Sequence, residues 1–246
     1  MQKWFSSLEL GKMIHEASLY AMSYTPSFLP TLERCLFKSQ FPEKENVVSE
    51  ARVDNPHRAL QMDCLFSQYV DEWAIPLDVG PEAISRLDKW IREGDTSAET
   101  GIPAAVGGRV YVHAPIEIRV NSGRGDEAFL SPARDGPVVY IGVIMYRPYF
   151  TPVPYRRYFA AYEHLMRMMQ GKPHWAKQHC LTAKESQQVF GREMRKWLQV
   201  RERVDPTSLF VNGFIRRHLL DLAGPSGVGV SVGELGRLHK RFRAVL

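Results

Sequence analysis

Apolar and polar positions along the chain change period several times, and each change marks an element. From Leu60 to Leu77, the residues Leu60, Met62, Cys64 and Phe66 alternate with Gln61 and Asp63, and Pro76 closes the run. Period two with a terminal proline predicts a strand. Tyr111 to Val120 alternates again, with Val112, Ala114, Ile116, Ile118 and Val120 on one face and Tyr111, His113, Glu117 and Arg119 on the other. Val138 to Tyr146 is continuously apolar and β-rich, the pattern of a central strand buried on both faces.

Helical spacing fills the rest. Pro81 to Glu93 carries Ile84, Leu87 and Ile91 on one stripe, with proline near its start and Gly94 just past its end. Arg156 to Met169 places Phe159, Tyr162, Met166 and Met169 on one side, a stripe that reads as core. Ala183 to Val204 carries Phe190, Met194, Trp197 and Arg201 along one side until Asp205-Pro206 stops it. Residues 4–41 read as helices broken at Thr25-Pro26 and Leu29-Pro30. Their Phe, Leu and Tyr side chains suit packing within the protein, or contact with a membrane surface or a partner domain. Residues 43–55, 94–108 and 121–126 read as loops. The fold expected is α+β, an antiparallel sheet of about four to seven strands flanked by helices. Residues 1–222 read as one domain. Residues 223–246 read as a flexible tail, opened by Gly224-Pro-Ser-Gly-Val-Gly and made basic by Arg237, Lys240, Arg241 and Arg243.

Composition narrows the partners. The 246 residues are 44% hydrophobic and 24% charged, which is ordinary for a globular chain. The net charge of +5 is scattered except in the tail, so no concentrated patch for nucleic acid is present. Cys35, Cys64 and Cys180 are an odd, widely spaced set, which argues against disulfides or zinc and for a reducing compartment. No run of about 18 apolar residues could span a membrane. The first residues lack the pattern of a secretory signal. Arg124-Gly125-Asp126 is a tripeptide frequent by chance.

Candidate chemistry gathers at two places. Glu117 and Arg119 project side by side from one strand, as an exposed ion pair or a functional pair. Gly171-Lys-Pro-His-Trp-Ala-Lys177 follows a helix, breaks it, and sets His174, Trp175 and Lys177 within four residues, which suits the floor of a site. The spacing of His174, His179 and Cys180 does not put three metal ligands on one face. Gly107-Gly108 has no strand-to-helix context that would cradle a phosphate. Asp71 and Glu72 read as solvated strand-end charges, since nothing in the sequence pairs them with another ionisable group.

Four stretches together carry a family likeness. His174-Trp-Ala-Lys177 resembles the His-Trp-x-Lys element of the sugar-1,4-lactone oxidases, flavoproteins of the vanillyl-alcohol-oxidase superfamily. Asp63-Cys-Leu-Phe-Ser-Gln-Tyr-Val-Asp-Glu-Trp-Ala-Ile-Pro-Leu77 resembles that family's most specific segment, Glu117-Ile-Arg119 its pocket pair, and Asp205-Pro-Thr-Ser-Leu-Phe-Val-Asn212 its terminal element. The likeness covers about residues 10–222, the family's C-terminal substrate part. It implies FAD as hydride acceptor, a sugar-acid lactone such as D-arabinono-1,4-lactone as substrate, and molecular oxygen as oxidant. The products would be an ascorbate-type compound and hydrogen peroxide. It further implies that Glu117, Arg119 and Lys177 are catalytic, that His174 and Trp175 bind substrate, and that Lys177 and Asn212 meet the cofactor. In those roles Glu117 holds substrate hydroxyls or takes a proton, the cations Arg119 and Lys177 stabilise negative charge, and Trp175 excludes water. The family's flavin-binding half, with its glycine-rich diphosphate segment, has no counterpart here, so that domain is an expected partner and the isolated chain is expected to be inactive. The fungal form is nearest in wording and implies a mitochondrial, membrane-associated setting. L-gulono- or L-galactonolactone oxidoreductases share the same elements. A non-enzymatic, partner-binding remnant is the alternative of another class.

Overall fold

In the computed structural model, which describes residues 2–40, 55, 66–94, 97–103 and 109–220, four strands form one sheet. They are β1 (Gln68–Pro76), β2 (Glu117–Asn121), β3 (Val138–Tyr146) and β4 (Lys172–Pro173), in the order β2-β3-β1-β4. β2 runs antiparallel to β3, and β4 antiparallel to β1. Seven α-helices accompany them among the described residues: α1 (Gln2–Met22), α2 (Leu29–Gln40), α3 (Gly80–Glu93), α4 (Ser97–Thr100), α5 (Arg156–Met168), α6 (Ala183–Val204) and α7 (Gly213–His218). The α+β class is as expected. The expectations for residues 43–54, 60–65, 104–108 and 223–246 lie outside the described residues.

The chain divides into two compact units. Residues 1–69, 111–115 and 144–153 form the first, and residues 70–110, 116–143 and 154–246 the second. In the first, Leu19, Leu29 and Phe66 are buried together, with Met22, Leu32, Tyr111 and Tyr146 against them. The His15 ring meets Phe66 edge-on at 5.2 Å. Leu10, Met13, Ile14, Phe28 and Phe37 are exposed.

The second unit has its core on one face of the sheet. Strand alternation puts Trp73 and Ile75 of β1 on the same side as Val139, Ile141 and Val143 of β3, and all five are buried. Helix α5 covers them. Its Tyr162 hydroxyl accepts the Trp73 N–H at 2.9 Å and donates to the Ile141 carbonyl, so one side chain ties β1 to β3. Trp90 of α3 stacks on Tyr158 of α5 at 6.4 Å. Such burial of large aromatics dominates the stability of a unit this size.

Three local features differ from the sequence pattern, each for a physical reason. The strand expected from Tyr111 to Val120 begins only at Glu117. Pro115 has no N–H for a ladder, and residues 111–115 belong to the first unit. Helix α6 starts as expected, with a capping box between Thr182 and Glu185, but bends at Gly191, whose φ of 50° and ψ of −119° require glycine. At the end of α5 the left-handed residue is Gln170 (φ 57°), not Gly171. The Gly171 N–H reaches the Met166 carbonyl at 2.8 Å and the Gln170 N–H the Arg167 carbonyl at 3.1 Å, a Schellman closure. Gly171 is needed for space instead, because a Cβ there would lie 2.7 Å from the Met166 carbonyl oxygen. Gln170→Gly is therefore expected to stabilise the chain by about 0.5–1 kcal/mol in chemical denaturation. A loss of stability would contradict the left-handed closure.

Candidate active site

The other face of the sheet carries the charged candidates. Glu117 stands opposite Gly142 and Arg119 opposite Tyr140 in the β2–β3 register. Ala74 stands opposite Lys172 in the β1–β4 register. Partners across an antiparallel pair share a face, so Glu117, Arg119, Tyr140, Glu72 and Ala74 project together. An alanine-like Cβ at Gly142 would sit 3.5 Å from the Glu117 Cβ and 3.8 Å from the Glu72 Cγ, which places those two side chains on either side of it.

Arg119 joins the two acids. Its Nη2 donates to the Glu72 carboxylate, and its Nε lies 3.3 Å from the Glu117 carboxylate. Its hydrogen bond to Glu72 raises the guanidinium's pKa above its ordinary value. Glu72 is only 2% exposed, whereas Arg119 and Glu117 are open to solvent. The reading of Asp71 and Glu72 as solvated charges is thus corrected: both are buried and both have ionisable neighbours. The partners were hidden because they lie far along the chain, Arg119 for Glu72 and Glu163 for Asp71.

The turn after β4 is clamped onto β1. The His174 N–H reaches the Glu72 carbonyl at 2.8 Å, and the Gln178 N–H reaches the Val70 carbonyl at 3.2 Å. Between them the Lys177 N–H closes onto the His174 carbonyl at 2.9 Å. The His174 ring meets Tyr140 edge-on at 6.0 Å, and its Nδ1 accepts the Ala176 N–H at 3.2 Å. The Lys177 ammonium has no ion-pair or hydrogen-bond partner among the described residues, so its charge is available to a ligand.

Trp175 and Asn212 are placed differently. The Trp175 indole stacks on Phe190 at 5.1 Å and donates its N–H to the Leu130 carbonyl at 2.6 Å, which anchors the turn to α6. The Asn212 side chain caps α7 by accepting the Ile215 N–H at 2.9 Å. Behind Trp175, the His179 ring is buried 4.3 Å from that of His218, with neither nitrogen hydrogen-bonded. Burial pushes its pKa down to about 3, so it is a neutral packing group. Among the described residues no three His, Cys, Asp or Glu side chains converge on a metal position.

A second acidic pair lies beneath Glu72, on the helix-covered face. Asp71 is fully buried. Its Oδ1 accepts the Trp73 indole N–H at 3.1 Å, and its Oδ2 has no donor. Burial first, and the neighbouring Glu163 second, push the Asp71 carboxyl well above the usual range. Glu163 accepts the Cys180 N–H at 2.9 Å and pairs with Arg167 at 3.0 Å. Burial raises the Glu163 carboxyl as well, so the two neighbouring acids both favour the protonated form more than a solvated carboxyl does.

A sheet face that presents a carboxylate, a guanidinium and an imidazole suits acid–base work on a hydroxylated substrate. Comparison with known proteins gives the chain its family. The profile of the D-arabinono-1,4-lactone oxidase family matches residues 1–218. A Neurospora crassa protein, provisionally named a D-arabinono-1,4-lactone oxidase, is 37% identical over 228 residues, 86% of this chain and 41% of that protein. The L-gulonolactone oxidase of Mus musculus is 30% identical, covering 87% of this chain and 44% of its own length. The D-arabinono-1,4-lactone oxidase of Yarrowia lipolytica is 27% identical, covering 85% and 50%. The chain belongs to the D-arabinono-1,4-lactone oxidase family and spans about half the length of the curated relatives it matches.

Proposed function

We propose that this chain is the substrate-domain portion of an FAD-dependent D-arabinono-1,4-lactone oxidase, which converts lactone and oxygen to an ascorbate-type product and hydrogen peroxide. The observation that carries the reading is the shared sheet face of Glu117 and Arg119, adjoined by the clamped turn of His174 and Lys177. Glu117 takes the hydroxyl proton. Arg119 and His174 hold the substrate oxygens, and the Lys177 ammonium meets the negative charge that develops as the C–H bond breaks. The bound FAD supplies the hydride acceptor, which no side chain can be. The residues fit one edge of such a cofactor through Lys177. Its diphosphate must be held elsewhere, since no strand–Gly-x-Gly-x-x-Gly–helix turn occurs in these 246 residues.

The complementary flavin-binding half then meets this chain at exposed apolar positions. Leu209 and Phe210, 78% and 75% exposed, suit that contact because Asp205 fixes both of their N–H groups. A mitochondrial, membrane-associated setting is part of the same proposal, through peripheral contact by Leu10, Met13 and Ile14. No helix is long and apolar enough to cross a membrane among the described residues.

A second reading, L-gulonolactone oxidation, is favoured by the relatives of that name at similar identity. The test is oxygen uptake by this chain fused to the flavin-binding half of a family member, with a panel of lactones. Highest kcat/KM for D-arabinono-1,4-lactone supports the first reading, and for L-gulono- or L-galactono-1,4-lactone the second. A folded, flavin-bearing fusion that oxidises none of them would leave the chain a partner-binding remnant.

A further inference from the structure

We infer that Glu72 is a positioning residue that aims Arg119 through its side chain and His174 through its backbone. The inference uses the proposed lactone chemistry only to name the ligand; the positioning itself stands on geometry. β2 and β1 are the two neighbours of β3, so their axes are about 10 Å apart. Arg119 nevertheless reaches Glu72, which requires its extended side chain to cross the face of β3. Gly142 leaves that crossing open: it stands directly opposite Glu117, with Glu72 on its other side. A side chain there longer than a methyl would stand between the two acids.

The buried carboxylate explains why the crossing is held. A charge almost entirely removed from water must be matched, and Arg119 is the ion-pair partner recorded for Glu72 among the described residues. Arginine suits the task because its five donors lie in one rigid plane: Nη2 is spent on Glu72 and Nε faces Glu117, which leaves others for a ligand. The three groups together carry one net negative charge, with the acceptor oxygens of Glu117 and the spare donors of Arg119 side by side. That alternation of acceptor and donor matches a polyhydroxylated ring. Because the Glu72 carbonyl also receives the His174 N–H, the same residue sets the height of the turn that bears His174 and Lys177.

The test compares Glu72→Gln, Glu72→Asp, Arg119→Ala and the Glu72→Gln/Arg119→Ala double variant in the full chain. Arg119→Ala leaves Glu72 buried without a partner and should lower Tm by about 6 °C or more. Glu72→Gln leaves Arg119 exposed and solvated, so it should cost less, and in the double variant it should recover much of the Arg119→Ala loss. Solvent exchange of the Arg119 Nε–H, followed by NMR, should speed up about fivefold or more in Glu72→Gln as the guanidinium is freed. In the flavin-bearing fusion, Glu72→Gln should raise lactone KM about tenfold with a smaller change in kcat, and Glu72→Asp should restore part of it. Unchanged Arg119 exchange in Glu72→Gln, or faster exchange with unchanged KM, overturns the positioning role. A fusion that oxidises no lactone contradicts the oxidase reading instead, and the exchange measurement still decides this inference.

Discussion

Replacing Lys177 by Met in a flavin-bearing form is expected to lower turnover about 10²–10³-fold while changing lactone KM far less. Methionine keeps the unbranched apolar stem of the side chain and deletes the terminal ammonium with its charge. The backbone of the turn is held independently, by the Lys177 N–H on the His174 carbonyl and the Gln178 N–H on the Val70 carbonyl. Stability should therefore move by no more than about 0.5 kcal/mol, as for an ordinary partly exposed position. The rate effect is large because Lys177 has no partner among the described residues, so its charge would still be free to meet the negative charge that a hydride acceptor gains. Arg119, by contrast, is matched by two carboxylates. Lys184→Met is the control, since Lys184 is an exposed residue in the first turn of α6. An equal loss there would show that the Lys177 effect is not specific.

The second large effect concerns stability. Asp71→Asn is expected to make the chain more stable at pH 7, by about 1–3 kcal/mol, although it replaces a buried acid that makes a hydrogen bond. The native Asp71 carboxyl titrates well above its ordinary value of 3.8, through burial and then the Glu163 charge. A group raised in this way binds its proton more tightly when folded. Its contribution is complete below about pH 4 and is lost at up to about 1.4 kcal/mol per pH unit as pH rises toward the folded value. Asparagine mimics the protonated form: its oxygen can accept from the Trp73 indole and its amide can donate to Glu163, with no proton to hold. The stability difference between variant and wild type should thus grow from pH 4 upward. A difference independent of pH would show that Asp71 carries no such proton.

Much of the scaffold was legible because it depends on local pattern. The run from Val138 to Tyr146 is a central strand, and the stripes at 81–93, 156–169 and 183–204 are helices within a residue or so. Stop signals such as Asp205-Pro206 act on the adjacent backbone and need no tertiary knowledge. The pair Glu117 and Arg119 was also legible, since period two alone puts them on one face. What was not legible depends on distant partners. Glu72 looks like a surface charge until Arg119 arrives across β3, and Asp71 until α5 brings Glu163. The alternation from Tyr111 to Ala114 is real in sequence, yet Pro115 denies it a ladder and the residues join the first unit instead. Trp175 sits in the motif that marks the site, but its ring is drawn into the Phe190 cluster by stacking and by the Leu130 carbonyl. A residue's place in a motif does not say which way it faces.

The most direct measurement is the visible spectrum and oxygen uptake of this 246-residue chain, purified and mixed with FAD and D-arabinono-1,4-lactone. On the proposed reading, Glu117, Arg119, His174 and Lys177 supply the substrate side of the site and other residues hold the hydride acceptor. The chain is therefore expected to stay colourless after removal of free flavin and to consume no oxygen. Stoichiometric yellow protein that takes up oxygen with the lactone would contradict this division of the site.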